Sequence, residues 1–176
     1  LDVSKDILLA EATPEAIAPE AYRPTRALAC AAADLDRAAE LIRHAERPLF
    51  VVGGGALRED VVPLMKMLVE KSGIPAATLQ YYPDAFPTSH PLSLGPLGRN
   101  GYSSANRAAP QADVIIAVGA HLDLFSTAGF KHGIISREAK LIHHSAVAAN
   151  IGIVFPVSHA VVGSTASLID GLLNRL

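Results

Sequence analysis

Short apolar runs alternate along the chain with segments whose apolar residues recur at helical spacing. Runs bounded by Gly, Pro or polar residues are typical of buried strands, whereas recurrence every three to four residues predicts amphipathic helices. The predicted strands are 49–52, 75–79, 113–119, 140–144 and an edge strand within 155–162; the predicted helices are 34–45, 58–71, 103–109 and 164–176. Because strands and helices alternate, the pattern predicts an α/β fold whose parallel sheet has right-handed crossovers. The stretch 80–101 contains four prolines and is predicted to be a long irregular loop.

Residues typical of helix ends flank several of these segments. Asp34 is a predicted N-cap, Ser103 and Ser104 are predicted to cap the short helix, and Ser164 or Thr165 to cap the last one. Gly73 is predicted to end the second helix, because glycine accepts the left-handed conformation that follows a last helical turn.

The composition indicates one α/β domain and excludes several classes of protein. Half of the 176 residues are hydrophobic, 18% are charged, and the formal net charge is −2 with no run of Lys or Arg. Nucleic acids and anionic membranes are therefore not expected as partners. No apolar stretch approaches the ~18 residues of a membrane span, and the single Cys30 excludes an intrachain disulfide and a Cys-based zinc site. Without a signal peptide before Asp2, we expect a cytoplasmic protein.

The amino-terminal segment differs in character from the rest of the chain. The chain starts at Leu1 rather than Met, and residues 11–25 form a polar stretch with three prolines. Such a stretch is typical of an extended linker that crosses a surface. We therefore expect residues 1–25 to be a linker from a preceding domain and residues 26–176 to be the folded domain.

A glycine-rich turn is the strongest indication of a ligand site. The predicted strand 49–52 runs directly into Gly53, Gly54 and Gly55. In open α/β sheets a phosphate-bearing ligand binds at such a turn, where backbone N–H groups face the anion. The dinucleotide fingerprint is incomplete, because Arg58 stands at its third glycine position and no acidic residue lies near Thr78 to bind a ribose. The alternative is a turn that only packs strand against helix.

A series of short motifs extends over nearly the whole chain. They are Asp2-Val3 with Asp6, Arg47-Pro48, Gly53–Gly55, Gly73-Ile74-Pro75, Thr78, Phe86-Pro87, His90-Pro91-Leu92, Gly95, Leu97-Gly98, Gly101, Ala105-Asn106, 112–119, 139–143 and Phe155-Pro156-Val157. In order and spacing they resemble the central domain of thiamine-diphosphate-dependent enzymes, in the branch of acetolactate synthase and sulfoacetaldehyde acetyltransferase.

This resemblance implies a doubly wound, six-stranded parallel sheet with a Rossmann-like, DHS-like NAD/FAD-binding topology. It also implies that thiamine diphosphate and Mg²⁺ are held by flanking pyrimidine- and diphosphate-binding domains of a homo-oligomeric transferase or lyase, so this domain is not expected to be active alone. Some members carry FAD or ADP here, and others carry neither. The positions implied to bind a nucleotide are Gly53, Gly54, Gly55, Thr78, Leu79, Gln80, Gly98, Gly119, His121 and Asp123.

Two departures from the flavin-bearing members argue against FAD. Those members continue the third strand as Gly-Ala-Arg-Phe-Asp-Asp-Arg, whereas this chain has 119–125 with His121 and Phe125 in place of the two arginines. Loss of a guanidinium removes a bidentate clamp on phosphate or carboxylate. The fourth strand of those members ends in His-Ile-Asp-Ile-Asp, whereas residues 143–147 contain no carboxylate. The resemblance implies that one of these arginines faces the substrate in the acetolactate synthase branch. Its loss therefore also argues against acetolactate synthesis.

Alternative interpretations remain open at this level. The first is a stand-alone module of the same fold that binds FAD, ADP or CoA. A sirtuin-like NAD enzyme is a weaker one, because its cysteine zinc module is absent.

The adjacent His143 and His144 point to opposite faces of a strand, so they cannot bind one metal ion together, and we expect packed or exposed histidines instead. Tyr81 and Tyr82 are expected to form core or subunit contacts rather than to stack on a ligand ring. No catalytic residue is assigned, since no G-x-S-x-G motif occurs.

Overall fold

Six parallel strands form the centre of the domain. The structure is a computed structural model that describes residues 2–11, 18, 28–57, 61–129 and 134–176. The strands are β1 (Pro48–Val52), β2 (Ala76–Leu79), β3 (Ser93–Leu97), β4 (Val114–Val118), β5 (Lys140–Ser145) and β6 (His159–Val162). They lie in the order β3-β2-β1-β4-β5-β6, and every neighbouring pair is parallel. This confirms the doubly wound α/β fold.

The helices cover the two faces of the sheet unequally. They are α1 (Lys5–Leu9), α2 (Ala32–Arg43), α3 (Val62–Ser72), α4 (Ser103–Ala108) and α5 (Thr165–Leu173). Helices α2, α3 and α5 pack on one face, where alternate strand residues such as Phe50, Ile116 and Ile142 form the larger hydrophobic cluster. The opposite face carries the short α4 and irregular segments over a cluster that includes Val51 and Ile115. We call the first the helical face and the second the open face.

Strand β3 lies inside the stretch that was predicted to be irregular, so that prediction was wrong for residues 93–97. The strand contains Gly95 and Pro96, which both weaken a strand pattern, and its pairing with β2 shifts register between Ala76 and Ala77. Pro cannot donate a ladder hydrogen bond, and it is tolerated here because β3 is an edge strand. The Tyr102 ring occupies the space beside Gly95, where a Cβ would lie 2.5 Å from its Cδ2 atom.

The observed helix ends confirm only some of the predicted capping residues. Gly73 ends α3 in the left-handed conformation, with φ of +68°, and the Ser164 hydroxyl accepts the Ser167 N–H at the start of α5, as predicted. Helix α2, however, begins at Ala32, so Asp34 lies in its first turn and is not the N-cap. Ser103 and Ser104 do not cap α4 either; the Ser104 hydroxyl instead donates to the Leu94 carbonyl.

Two predicted regions fall partly beyond the described residues. The predicted linker 1–25 is described only at 2–11 and 18, and the first three residues of the predicted helix 58–71 are outside the description. Within the part that is described, α1 has no buried residue. No described helix combines the length and the apolar character needed to cross a membrane.

Candidate functional site

The crevice at the centre of the sheet lies between the carboxyl ends of β1 and β4. The chain proceeds from β1 towards β3 on one side and from β4 towards β6 on the other, so these two strands form the topological switch point of the sheet. Ligands of open α/β sheets bind in such a crevice. Here β1 is followed by Gly53–Gly55 and β4 by Gly119, so the fold brings the predicted glycines together.

Backbone contacts fill this crevice. The Gly53 N–H donates to the Val118 carbonyl at 3.0 Å, and the Gly55 N–H donates to the Gly119 carbonyl at 2.9 Å. A Cβ on Gly53 would lie 2.5 Å from the Ala120 Cα, and one on Gly55 would lie 2.8 Å from the Gly119 Cα. These glycines thus allow the turn after β1 to pack on the end of β4, and both amides are used in doing so.

Gly54 faces a different neighbour. Its Cβ would lie 2.8 Å from the Cε1 atom of Tyr82, which packs against both core clusters, as expected for that tyrosine. Tyr81 is instead 54% exposed and meets Phe125 edge to face, with 5.7 Å between ring centroids. This aromatic pair stands at the rim of the carboxyl edge.

Gln80 and Gly98 belong to a second group of predicted residues. The Asn106 side chain accepts the Gly98 N–H at 3.0 Å and donates to the Gly98 carbonyl at 2.8 Å. The Gln80 side-chain oxygen accepts the Asn100 N–H at 2.9 Å. A Cβ on Gly98 would lie 2.7 Å from the Phe125 carbonyl oxygen. These contacts hold the loop after β3 against the segment that follows β4.

Thr78 and Leu79 are core residues of β2. Leu79 is fully buried on the open face. Thr78 is 1% exposed, and its hydroxyl has no hydrogen-bond partner among the described residues; the buried Ser126 hydroxyl shares this property. Buried polar groups are normally hydrogen-bonded, so these two hydroxyls are unusual among the described residues near the carboxyl edge.

His121 and Asp123 lie in the segment that follows β4. One Asp123 carboxylate oxygen accepts the N–H groups of Phe125 and Ser126 at 2.9 and 2.8 Å, so it caps the turn that follows. His121 is exposed and lines a pocket with Asp123 and His143. The ten predicted positions thus divide among the crevice, the loop after β3, strand β2 and this pocket.

Removing the Asp123 cap gives a direct test of its structural role. We expect Asp123→Ala to lower the free energy of unfolding by about 1–2 kcal/mol, because two backbone N–H groups lose their acceptor. Urea unfolding followed by circular dichroism measures this loss. Asp123→Asn keeps an oxygen acceptor and should retain most of the stability; an equal loss in both variants would contradict the capping role.

Two adjacent histidines of β5 join the carboxyl ends of three strands. His144 Nδ1 accepts the Gly119 N–H at 3.1 Å and its Nε2–H donates to the Gly163 carbonyl at 3.0 Å. On the opposite face, His143 Nδ1 accepts the Gly152 N–H at 3.4 Å, and its Nε2–H donates to the Ala120 carbonyl at 2.9 Å. The backbone donors fix the tautomer, since each Nδ1 must carry a lone pair.

Burial disfavours the charged form of both imidazoles. It is the main cause that lowers the pKa of each ring, and a neighbouring histidine adds to it: His143 for His144, and His121 for His143. Their opposite orientation was predicted, but their hydrogen-bonding roles were not, because the partners are backbone groups far along the chain. Within the described residues, no group of three His, Cys, Asp or Glu side chains could hold a metal ion.

A parallel sheet in this order, with a glycine turn at its switch point, defines a Rossmann-like α/β domain of the doubly wound class. Comparison with known proteins gives the family. Residues 35–172 match the model of the thiamine pyrophosphate enzyme central domain, and the chain belongs to that family. This match favours the family over the alternative interpretation, a stand-alone nucleotide-binding module.

The relatives are much longer than this chain. Sulfoacetaldehyde acetyltransferase of Alcaligenes xylosoxydans xylosoxydans is 37% identical over 146 residues, which are 82% of this chain and 24% of that protein. The acetolactate synthase large subunit of Corynebacterium glutamicum is 31% identical over 176 residues, or 98% of this chain and 28% of the relative. The chain therefore spans about a quarter of the length of the curated relatives it matches.

A solved structure supports the fold. A Mycobacterium smegmatis protein assigned to the thiamin diphosphate-dependent enzymes superimposes with a TM-score of 0.72 at 24% identity, over 92% of this chain and 31% of that chain.

Proposed function

We propose that residues 26–176 are the non-catalytic central domain of a longer, cytoplasmic, homo-oligomeric thiamine-diphosphate-dependent transferase or lyase, and that residues 1–25 lead into it from a pyrimidine-binding domain. The observation that carries this proposal is the match of residues 35–172 to the central domain of that family. Acetolactate synthases and sulfoacetaldehyde acetyltransferases among the relatives indicate a carboligase or acyltransferase.

The described residues do not form a binding site for thiamine diphosphate and Mg²⁺, the cofactors of the whole enzyme. Mg²⁺ is usually held by one or two carboxylates together with phosphate oxygens of the ligand, so its place follows that of the diphosphate. A diphosphate requires free N–H donors or cations, whereas the amides of Gly53 and Gly55 donate to Val118 and Gly119. We therefore assign thiamine diphosphate and Mg²⁺ to the flanking diphosphate- and pyrimidine-binding domains, and the role of this domain is to hold those partners together.

FAD or ADP is a second candidate for this domain. Its proposed place is the carboxyl edge, where Gly54, Gln80, Gly98, His121 and Asp123 surround the switch point. The position of this edge in the fold supports the proposal. The engaged glycine amides and the absence of arginine at positions 121 and 125 oppose it. A structural role is therefore our first proposal, and nucleotide binding the second.

Calorimetric titration separates these roles. We expect the 176-residue chain to bind neither thiamine diphosphate with Mg²⁺ nor FAD, ADP or CoA at micromolar concentration, because its described residues offer no diphosphate cradle. Circular dichroism should confirm in parallel that the titrated chain is folded. Micromolar binding of thiamine diphosphate would overturn the proposal of a non-catalytic domain, and micromolar binding of FAD or ADP would make the crevice a cofactor site.

Phe125 bears on the choice of substrate. In the related branch an arginine stands at this position, and this chain has an exposed phenylalanine paired with Tyr81. We expect the enzyme that contains this domain to form little acetolactate from pyruvate, since an aromatic ring cannot bind a carboxylate as a guanidinium does. Steady-state assays of the full-length enzyme measure this, and vigorous synthesis would contradict it.

The reverse substitution provides the matched comparison. Phe125→Arg should raise acetolactate formation by roughly tenfold or more, because a hydrogen bond to a charged group contributes about 1.5–3 kcal/mol. Leu124→Arg places the same charge on the adjacent residue, which is similarly exposed, and should have little effect. Equal rates in the two variants would mean that position 125 does not face the substrate.

A further inference from the structure

Asn100 is the only asparagine of the chain that precedes a glycine. The other three asparagines are followed by Arg107, Ile151 and Arg175. Asparagine is a labile residue, because the backbone nitrogen of the next residue can attack its side-chain carbonyl carbon and displace the amide. A side chain on that next residue hinders the attack, whereas glycine has no Cβ to obstruct it. The sequence therefore singles out Asn100 as the asparagine with the least hindered neighbour.

The side chain of Asn100 is exposed, and no described residue hydrogen-bonds to its carboxamide. Asn106 differs, since its carboxamide is bonded to both backbone groups of Gly98. Asn174 likewise uses its carboxamide, which donates to the Asp170 carbonyl. A free carboxamide can turn towards the next backbone nitrogen without losing a bond of its own. The fold thus leaves the side-chain carbonyl of Asn100 open to attack.

The backbone around Asn100 forms a hydrogen-bonded turn. The Gly101 N–H donates to the Gly98 carbonyl at 3.0 Å, and the Asn100 N–H donates to the Gln80 side-chain oxygen at 2.9 Å. The attack requires the Gly101 nitrogen to lose its proton, so the nitrogen is protected while it donates within the turn. Only molecules in which the turn has opened react, and loops open locally at a lower free-energy cost than the whole domain. Because Gln80 holds the turn, it also limits this reaction.

The segment that follows Asn100 covers edge strand β3. The Tyr102 N–H donates to the Pro96 carbonyl at 2.7 Å. Gly101 lies so close to the strand that a Cβ on it would be 2.5 Å from the Pro96 carbonyl oxygen. A backbone lengthened by one methylene group at residue 100 has no room here and would displace these contacts. Strand edges that lose their cover can pair with other chains and promote aggregation.

We propose that Asn100 is a site of spontaneous deamidation, which the opening of the Gly98–Gly101 turn permits and the Gln80 side chain restrains. This inference does not depend on the proposed function of the domain.

The chemistry needs no reactant besides water. The Gly101 nitrogen gives up its proton and bonds to the Asn100 side-chain carbonyl carbon, and the bond from that carbon to the side-chain nitrogen breaks with release of ammonia. Water then opens the resulting succinimide at either of its two carbonyl carbons. One opening gives aspartate, and the other gives isoaspartate, whose backbone is longer by one methylene group. The net change replaces ammonia by water, and no atom is oxidised or reduced.

Ageing of the purified 176-residue chain tests the site. After incubation at mildly alkaline pH, peptide mapping by mass spectrometry should detect the change from amide to acid at Asn100, with an isoaspartyl product, while Asn106, Asn150 and Asn174 stay intact. In urea the reaction should be roughly tenfold faster or more, because every molecule is then open. Conversion in urea without conversion in the folded chain would overturn the proposal, and so would faster conversion at another asparagine.

Variants test the restraint by Gln80. Gln80→Ala should raise the rate roughly two- to tenfold, because the turn loses one hydrogen bond and its open fraction increases. Gln111→Ala is the matched control, since Gln111 is exposed and its side chain donates to the Arg107 carbonyl. Asn100→Gln should abolish the reaction, because the longer side chain would have to close a larger ring. Circular dichroism checks that each variant is folded. An unchanged rate in Gln80→Ala, or an equal increase in Gln111→Ala, would refute the restraint.

The effect on the edge strand has its own readout. Asn100→Asp carries the new charge on an unaltered backbone, so the Tyr102 amide should keep its protection from hydrogen exchange. The isoaspartyl form, separated from the aged chain by ion-exchange chromatography, should lose that protection. Equal protection of the Tyr102 amide in the two forms would show that the modification does not uncover β3 and would contradict this part of the proposal.

Discussion

Gly119→Ala should be among the most destabilising single-methyl changes in the domain. Gly119 has φ of +54°, and a Cβ there would lie 2.7 Å from the Gly55 Cα. The left-handed conformation costs a residue with a Cβ about 1–2 kcal/mol, and overpacking against backbone costs about 1–3 kcal/mol more. We expect a loss of about 2–5 kcal/mol in the free energy of unfolding, measured by urea denaturation.

Gly73→Ala separates the two causes. Gly73 also has a left-handed φ, of +68°, but no atom lies within 4 Å of the position its Cβ would take. This control should lose only the conformational cost, about 1–2 kcal/mol. If both variants lose the same free energy, the close approach of the β1 turn to the end of β4 does not limit stability, and the crevice can widen to admit a ligand.

The stability of the domain should fall as pH decreases below about 6.5. Both His143 and His144 have a lowered pKa in the folded state, so the unfolded chain binds more protons in this range and the free energy of unfolding rises with pH. Each histidine contributes up to about 1.4 kcal/mol per pH unit between its unfolded and folded pKa. Urea titrations at intervals from pH 8 to pH 5 give the slope.

A substitution of His144 tests how far this residue causes the pH dependence of stability. His144→Gln removes one titrating ring and should reduce the slope, although its stability at pH 8 also falls because backbone contacts of the ring are lost. His44→Gln is the control, since His44 is exposed at the end of α2. The assignment fails if the His44 variant flattens the slope or if the His144 variant leaves it unchanged. Lowered carboxylate pKa values, such as that of Asp113, act only at more acidic pH.

The sequence predicted the central strands and the edge strand β6, and it missed β3 at the other edge. Residues 114–118 are apolar at every position because helices or loops cover both sides, and such a run is recognisable without any structure. Strand β3 has Gly95 and Pro96 at its centre, and an edge strand tolerates both residues. The sixth strand was therefore expected only from the family resemblance.

The candidate site was predictable in its location but not in its contacts. A glycine turn after the first strand indicates the switch point, and Gly53 and Gly119 do meet there. Whether the turn amides face a ligand or a carbonyl depends on the approach of β4, which comes more than 60 residues later in the chain. The backbone groups that bind His144 belong to Gly119 and Gly163, which lie 25 and 19 residues away in the chain. No local sequence pattern therefore predicts these contacts.

The hydrogen bonds around His144 have a consequence for local opening. The Gly55 N–H donates to the Gly119 carbonyl, the Gly119 N–H donates to the imidazole, and the imidazole donates to the Gly163 carbonyl. The ends of β1, β4, β5 and β6 are thus coupled through one side chain. In hydrogen exchange, the amides of Gly55 and Gly119 should be released together as one cooperative unit. Edge strand β3 has no part in this chain of bonds, so its amides are expected to exchange independently and sooner.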